Sequence, residues 1–408
     1  MHSEALIFSE DNPVPTRRIG TADIVGFGMD GVSVLRNNIH PTVQRPIASF
    51  GYNAGGWRNE DHVRLVGDTT GNGRSDIVGF GEHGVVVSYN NGSSNFSPPS
   101  LVLGGEFGAG AEAGRWKVDE HVRYAADLLK RGYVDIIGFG DAGVLVSLNN
   151  GNGTFATPHL ALPQFGFSAG GYRRERHLRF LADVTGDGRP DIVGFGETSV
   201  QVSLNNGDGT FQKAGPVVTG FAYSAGGWRV DRHPRILADL TGDGKADIIG
   251  FADDGVHVAL NNGNGTFQEP RLVLNAFGSG AGGWHAHLHP RYVADVTGNG
   301  RGDIVGFANG GVFVALGNGD GTFQPPKLVL EAFGYEAGGW RVGITPRYVV
   351  DLTGDGAADI VGISISGVTV SYNDGKGNFG PPQTLCDHFG SSQGWDAGKT
   401  IRMVANLQ

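Results

Sequence analysis

The sequence predicts an all-β fold, a seven-bladed β-propeller with four antiparallel strands per blade, closed into a ring by pairing of its N- and C-terminal strands. The first ground is a phrase, Asp-Ile-Val-Gly-Phe-Gly with close variants, that recurs from Asp23, Asp76, Asp135, Asp191, Asp247, Asp303 and Asp359. The second is its spacing of 53, 59 and then repeatedly 56 residues, so that residues 1–408 read as a single domain of seven repeats of about 56. A period near 50 with several β-branched runs per unit marks a propeller blade, and a ring of small sheets escapes the size limit of roughly 250–300 residues on a single core. The third is that the ends complement each other. Residues 400–406 read as a first strand with no second after it, and residues 23–28 as a second strand with no first.

Within a unit the elements follow from alternation and turn residues. In the unit around Asp191, residues 178–183 alternate as a first strand, 191–196 return, 200–205 form a third and 215–220 a fourth. A turn of the type Asn-Asn-Gly-Asn-Gly-Thr-Phe follows the third strand, as at residues 149–155 and 261–267. Up-and-down connection puts the loops after strands one and three on one face, and those after strands two and four on the other.

Composition excludes several classes. With 31 basic and 41 acidic residues the formal charge is −10, which repels a phosphate backbone and argues against a nucleic-acid partner. The start, Met1-His2-Ser3-Glu4, lacks the pattern of a secretory signal, and no apolar run is long enough for membrane insertion. The chain therefore reads as soluble, either cytoplasmic or exported by a non-classical route. Its single cysteine, Cys386, allows no internal disulfide.

On the first face the loop Asp-x-Thr-Gly-Asp-Gly-x-x-Asp is complete at Asp183/Thr185/Asp187/Asp191, Asp239/Thr241/Asp243/Asp247 and Asp351/Thr353/Asp355/Asp359. Oxygens at positions 1, 3, 5 and 9 around flexible glycines suit a hard cation, so structural calcium is expected there. Asp68/Asn72/Asp76 and Asp295/Asn299/Asp303 carry asparagine at the fifth place and are weaker candidates. The loop from Asp127 to Asp135 has Lys130 and Arg131 instead and should hold no metal.

On the second face the loop into each first strand carries Gly-Gly-Trp-Arg-x-Asp/Glu-x-His-x-Arg, most fully at Trp228, Arg229, Asp231, His233 and Arg235. A register that sets Asp68 opposite Asp76 also sets His62 opposite Glu82, and likewise His121/Asp141, His177/Glu197 and His233/Asp253. The pair changes as a unit, since His289 faces Asn309, Thr345 faces Ile365 and Thr400 faces Met29. These groups could be structural, each satisfying the other. An aromatic beside directed donors and acceptors also suits a pyranose, whose C–H face packs on a ring while its hydroxyls need hydrogen bonds.

The quoted phrases, with Ala-Gly-Gly-Trp-Arg and His-Pro-Arg, make the chain resemble the Psathyrella velutina lectin family, over its whole length. That resemblance implies a seven-bladed propeller of FG-GAP repeats similar to those of integrin α-subunits, calcium in some blades, and sugar pockets between blades for terminal N-acetylglucosamine and sialic acid. Glycans and glycoproteins bearing N-acetylated sugars are the implied partners. By matching positions it implies sites at Trp57, Trp116, Tyr172, Trp228 and Trp284 with His62, His121, His177, His233 and His289, while the Trp340 and Trp395 loops mark weak or absent sites. Repetition of the candidate groups favours multivalent binding over an enzyme, which needs one asymmetric constellation. The asymmetric cluster His285/His287/His289 could hold a transition metal, though it stands where loop residues vary. An integrin-like protein-adhesion propeller is the alternative reading and predicts a broad apolar patch instead of small polar pockets.

Overall fold

The computed structural model describes residues 22–37, 42–92 and 95–407, and contains seven four-stranded antiparallel sheets with two single-turn 3₁₀ segments. The fold is an all-β, seven-bladed propeller. The segment from which a missing secretory signal was inferred lies outside the described residues. No helix among them is long and apolar enough to cross a membrane.

Backbone contacts divide the chain into two compact units, one of residues 20–174, 203–214 and 394–408 and the other including 175–202 and 215–393. In the first unit, one sheet joins Ile401–Ala405, Asp23–Phe27, Val32–Leu35 and Val43–Ile47 in that order, so the chain ends share a blade as expected. Its other sheets are meanders running from Val63–Gly67 to Ser100–Gly104 and from Val122–Ala126 to His159–Leu162. The second unit holds four more meanders, starting at Arg179–Ala182, Arg235–Ala238, Arg291–Ala294 and Arg347–Val350.

Each copy of the repeated phrase is a second strand, buried along its whole length, as at Asp191–Phe195 and Asp303–Phe307. Sheets covering both faces explain why this segment is a near-continuous apolar run. The fourth strands, such as Arg271–Leu274, are the most exposed. Strands are shorter than the sequence suggests: in the Asp191 blade they span Arg179–Ala182, Asp191–Phe195, Val200–Ser203 and Gly215–Val218.

The first hairpins are registered one residue away from the expected pairing. Gly67, not Asp68, stands opposite Asp76, and the same offset recurs where Arg179 faces Gly194, Arg235 faces Gly250 and Ile401 faces Phe27. The first loop acid lies beyond the ladder, where it closes the turn, so it cannot set the register.

That register gives the phrase glycine its purpose. Gly306 faces Arg291 on one side and Phe313 on the other, and a Cβ there would lie 2.6 Å from the Trp284 ring and 2.8 Å from Phe277. Glycine thus forms the floor of a slot filled by the loop tryptophan and a phenylalanine. The phenylalanine adopts left-handed backbone, φ 60° at Phe277 and 57° at Phe333. Its carbonyl accepts Nη1 of the buried arginine, at 2.8 Å from Arg291 and 3.0 Å from Arg347, which pins this sparsely populated conformation.

Neighbouring blades within a unit are joined on the face of the acidic loops by the first asparagine of the Asn-Asn-Gly turn. Asn149 Nδ2 donates to Val134 O in its own blade at 2.9 Å and to Thr69 O in the preceding one at 2.8 Å. Asn261 does the same with Ala246 and Val184, and Asn373 with Ala358 and Val296.

Candidate functional site

The structure brings each histidine to its acid at the blade end despite the shifted register, because the contact forms beyond the strand pairing. Nε2 lies 3.2 Å from Asp141 in His121, 3.1 Å from Glu197 in His177 and 3.3 Å from Asp253 in His233. The His62–Glu82 distance is 3.9 Å, and Nε2 of His62 and of His233 stops short of a well-aligned hydrogen bond. His289 meets Asn309 Oδ1 at 2.9 Å.

The other ring nitrogen explains why a histidine is used. Nδ1 accepts the backbone N–H four residues earlier: Arg58 to His62 at 3.0 Å, Lys117 to His121 at 3.1 Å, Arg229 to His233 at 3.2 Å and His285 to His289 at 3.1 Å. With Nδ1 accepting, the neutral ring carries its hydrogen on Nε2, which is directed at the acid in His62, His121 and His233 and at Asn309 in His289. Burial pushes the pKa of His121, His177 and His233 down, against the opposing pull of the paired acids, and this keeps the rings neutral.

The acids are tied to the following loop as well. The Ser224 hydroxyl donates to Glu197 and holds its carboxyl below the usual range, with His177 contributing. At Asp253 burial opposes the shift, but Ser279 and His233 bring the pKa down. Arg176 and Arg232 also flank these two acids, at 3.5 and 2.7 Å. The residue before the histidine is acidic in two other blades, Asp61 and Glu120.

The aromatics are not the open platforms expected from the sequence. Trp57, Trp116, Tyr172, Trp228 and Trp284 are all buried, as are Trp340 and Trp395. Their glycine-rich loop suggests exposure, but the glycine floor in the sheet below lets the ring sink into the slot. Only the pyrrole edge points back to the loop, where Trp116 Nε1 donates to Glu106 at 3.4 Å and Trp228 Nε1 to Gly220 O at 2.5 Å. The half-buried aromatics that sequence reading missed stand two residues after the left-handed phenylalanine position. Arg58 stacks on Tyr52 at 3.7 Å, Arg229 on Tyr223 at 3.9 Å and Arg341 on Tyr335 at 3.6 Å. An aromatic at that place in four loops, Tyr52, Phe167, Tyr223 and Tyr335, was the available signal.

The acidic loops fold as turns closed by backbone amides. Asp183 Oδ1 accepts from Thr185 and Gly186 and its Oδ2 from Gly188, and Asp239 and Asp351 repeat this. The ninth acid turns inward: Asp247 accepts from Leu240 and Asn261, and Asp359 from Leu352 and Asn373. Asp191 is buried in the same way, and so is Asp135 in the loop without the motif. Burial pushes Asp247 and Asp359 up to about 6, with repulsion from the other loop acids adding to it.

The threonines at the third place of these loops lie beside the first acid. Thr241 Oγ1 donates to Asp239 Oδ1 at 3.3 Å and Thr353 Oγ1 to Asp351 Oδ1 at 3.4 Å, as Thr185 Oγ1 does to Asp183 Oδ1 at 3.3 Å. The cause is local reach. A hydroxyl two residues beyond an aspartate falls beside its carboxylate and reinforces the turn that the backbone amides already close.

The fifth acids differ in their neighbours. Arg189 meets Asp187 at 2.5 Å and Lys245 meets Asp243 at 2.8 Å, whereas Ala357 occupies that place beside Asp355. In the divergent loop Arg131 reaches the buried Asp135 at 2.6 Å, a cation supplied by the chain itself. The carboxylates of the Asp351 loop therefore suit a hard cation best, because no side-chain cation already neutralises its fifth acid.

Among the described residues, the group of three or more potential ligands within 4.8 Å of one another is Glu120, His121 and Asp141. There Nε2 carries the ring hydrogen, so the imidazole offers no lone pair toward the acids. In the triple-histidine segment, His289 has Nδ1 engaged by His285 N–H and Nε2 by Asn309. Both engagements oppose shared metal binding with His285 and His287.

A model of the FG-GAP-like repeat matches residues 183–232 and 239–305. The solved structure of an Agrocybe aegerita lectin, described as specifically recognising non-reducing terminal N-acetylglucosamine, is 56% identical. The match covers 95% of this chain and 96% of that one, with a TM-score of 0.93. The Pseudomonas aeruginosa periplasmic gluconolactonase PpgL is 13% identical, with coverage of 95% and 99% and a TM-score of 0.48. The Photorhabdus luminescens Tc holotoxin pore is 16% identical, with coverage of 88% and 16% and a TM-score of 0.47. None of the curated proteins compared matches the chain. Identity above half along nearly the whole of both chains establishes kinship with the Agrocybe aegerita protein, and the chain belongs to the family of seven-bladed FG-GAP-repeat β-propeller lectins.

Proposed function

We propose that this protein is a multivalent lectin for glycans that end in N-acetylglucosamine. The observation that carries this reading is the 56% identity, over 95% of the chain, to a lectin described as recognising that sugar at a non-reducing terminus. The local chemistry is compatible with it. Each His–acid rim presents a partly exposed carboxylate backed by a buried neutral ring, an acceptor suited to sugar hydroxyls. Rings locked as Nε2 donors are poor general bases, which favours recognition over catalysis.

Sialic acid shares the N-acetyl group and is the second ligand to test. Its carboxylate would be received best beside Arg176 and Arg232, and worst beside Asp61 and Glu120. Several weak sites acting together on a glycan-coated surface would multiply modest affinities by roughly 10²–10⁴. Calcium at the acidic loops would serve stability, not sugar contact, since those loops lie on the face opposite the His–acid rims.

A glycan array carrying both sugars, run with and without chelator, tests this. Binding to N-acetylglucosamine-terminated glycans is expected, and His233→Ala is expected to weaken it. Turnover of a glycan with no stable binding would replace this reading by an enzymatic one.

A further inference from the structure

We propose that Asn309 is a deamidation site, and that its conversion to aspartate completes in this blade the His–carboxylate pair that other blades carry. The chain reads Ala308-Asn309-Gly310-Gly311 at the tip of the hairpin between Asp303–Phe307 and Val312–Ala315. Asn309 stands at the place of Asp141, Glu197 and Asp253, and His289 Nε2 meets its Oδ1 at 2.9 Å. This chemistry needs no ligand and is independent of the lectin reading.

Deamidation begins when the backbone nitrogen of the following residue, having lost its proton, attacks the side-chain amide carbon. Glycine is the best successor because no Cβ shields that nitrogen. Gly310 is exposed with open space around it, and its N–H makes no hydrogen bond among the described residues. Most other Asn-Gly steps are guarded. Gly151, Gly207 and Gly263 donate their N–H to the asparagine two residues back at 2.8, 2.8 and 2.7 Å, and Gly73 and Gly300 donate to Asp68 and Asp295, each at 2.6 Å. Asn152 and Asn264 engage Oδ1 with the N–H and hydroxyl of Thr154 and Thr266. The Asn318-Gly319 step lacks the guard, since Gly317 stands where the turn asparagine would be, but no histidine faces its amide.

His289 supplies the second ingredient. Its Nδ1 accepts the His285 N–H, so the ring hydrogen sits on Nε2 and points at the Asn309 amide oxygen. That bond draws electron density from the amide carbon and stabilises the negative oxygen that forms on attack, as an oxyanion hole does. The bond from Gly310 N to Asn309 Cγ forms, the Cγ–Nδ2 bond breaks, and ammonia leaves carrying a proton equivalent to the one the glycine lost. Solvent water then adds at Cγ of the cyclic imide, the Cγ–N bond breaks and the nitrogen regains its proton, so that water is consumed and ammonia released. Opening at the main-chain carbonyl instead would lengthen the backbone by a methylene. The fold opposes that outcome, because the Asn309 carbonyl accepts the Glu336 and Ala337 N–H groups at 3.0 and 2.9 Å and Ala308 N–H donates to Gly311 O at 2.8 Å.

The test is incubation of the intact chain in mildly alkaline buffer, with conversion at each asparagine read by fragment-ion mass spectrometry. Conversion at Asn309 should run several-fold ahead of Asn150, Asn206 and Asn262, and ahead of Asn318 in the same tryptic peptide. Gly310→Ala, at a place with room for a Cβ and no positive φ, should slow it several-fold in a folded chain. His289→Thr, which keeps the turn clamp that Thr345 makes, should slow it as well. Burial holds the His289 ring below its ordinary pKa, opposed by the bond to Asn309 and reinforced by Arg291, His285 and His287. A carboxylate in place of that amide should raise the pH at which His289 titrates by NMR, and Asn309→Asp should reproduce the shift of the converted chain. An amide at 309 that persists while Asn318 converts, or conversion undiminished in His289→Thr, overturns the proposal. Isoaspartate as the main product overturns completion of the pair.

Discussion

The backbone N–H of Arg341 donates to Oγ1 of Thr345 at 2.7 Å, the clamp that Arg229 N–H makes with Nδ1 of His233 at 3.2 Å in an earlier blade. Threonine reproduces the clamp but has no second arm, and the position that would carry its acid is Ile365, 57% exposed. The joint loss of histidine and acid follows from this. His233→Thr should hold the turn with little loss, whereas His233→Ala strips the N–H of its acceptor and should cost about 1–2 kcal/mol. Urea midpoints separate the two; equal destabilisation by Thr and Ala would rule the clamp out.

The same histidines make folding acid-sensitive. Their folded pKa values lie below the ordinary 6.5 because burial disfavours the charged ring. In the unfolded chain each takes up a proton near pH 6.5, and the folded chain does so only at lower pH. Their contribution is therefore complete above about pH 6.5 and is lost as the pH falls through the folded values. Thermal unfolding at about pH 7.5 and 5.5 should show the loss, and His121→Thr should reduce it by that site's share. A midpoint that rises on acidification would contradict this account.

Phrase glycines should not tolerate alanine. At Gly306 a Cβ meets ring atoms of both Trp284 and Phe277, each buried and unable to retreat. Overpacking of this kind costs typically 1–3 kcal/mol or more. Gly306→Ala should lower the unfolding midpoint, while Gly339→Ala, with open space around it but φ 73°, should cost less, chiefly through backbone strain. Comparable losses at both would mean that the slot is not tightly packed.

That slot also shows what the sequence could and could not reveal. The propeller was legible because the second strand is covered on both faces, so the same residues are selected in every blade and the repeat stands out. The clasp between 401–405 and 23–27 was legible because each end lacked one strand. The depth of the tryptophans was not, since their glycine-rich loop looks solvated and the floor beneath them lies some twenty residues further on. The register slipped by one because Asp68 resembles a strand end but closes the turn with its side chain, accepting from Gly71 and Gly73.

Calcium should distinguish the three complete loops. Arg189 and Lys245 already neutralise Asp187 and Asp243, while Asp355 has Ala357 where those cations stand. Occupancy should be highest at Asp351 and Asp355 and should fall when Ala357→Lys supplies the missing cation. Anomalous scattering from crystals grown with calcium reads each loop separately. Equal density at all three loops would show that the neighbouring cation is irrelevant.

Removing residues 401–408 should cripple the blade that holds both chain ends. Asp23–Phe27 would lose the strand that covers one edge, and Asp23 would lose the Leu407 N–H that it accepts at 3.2 Å. Asn90 Nδ2, which donates to Leu407 O at 2.8 Å, would lose its bond to the terminal strand and keep the one to Ser75. The exposed edge then becomes a template for pairing with other chains. Size-exclusion chromatography of the truncated chain should show aggregation or loss of soluble protein. A synthetic peptide of residues 400–408 supplied in trans should restore a monodisperse species, because the vacated edge specifies its partner through backbone pairing and two side-chain contacts. A truncated chain that stays monodisperse and unfolds at the same temperature without the peptide would show that the terminal strand is dispensable.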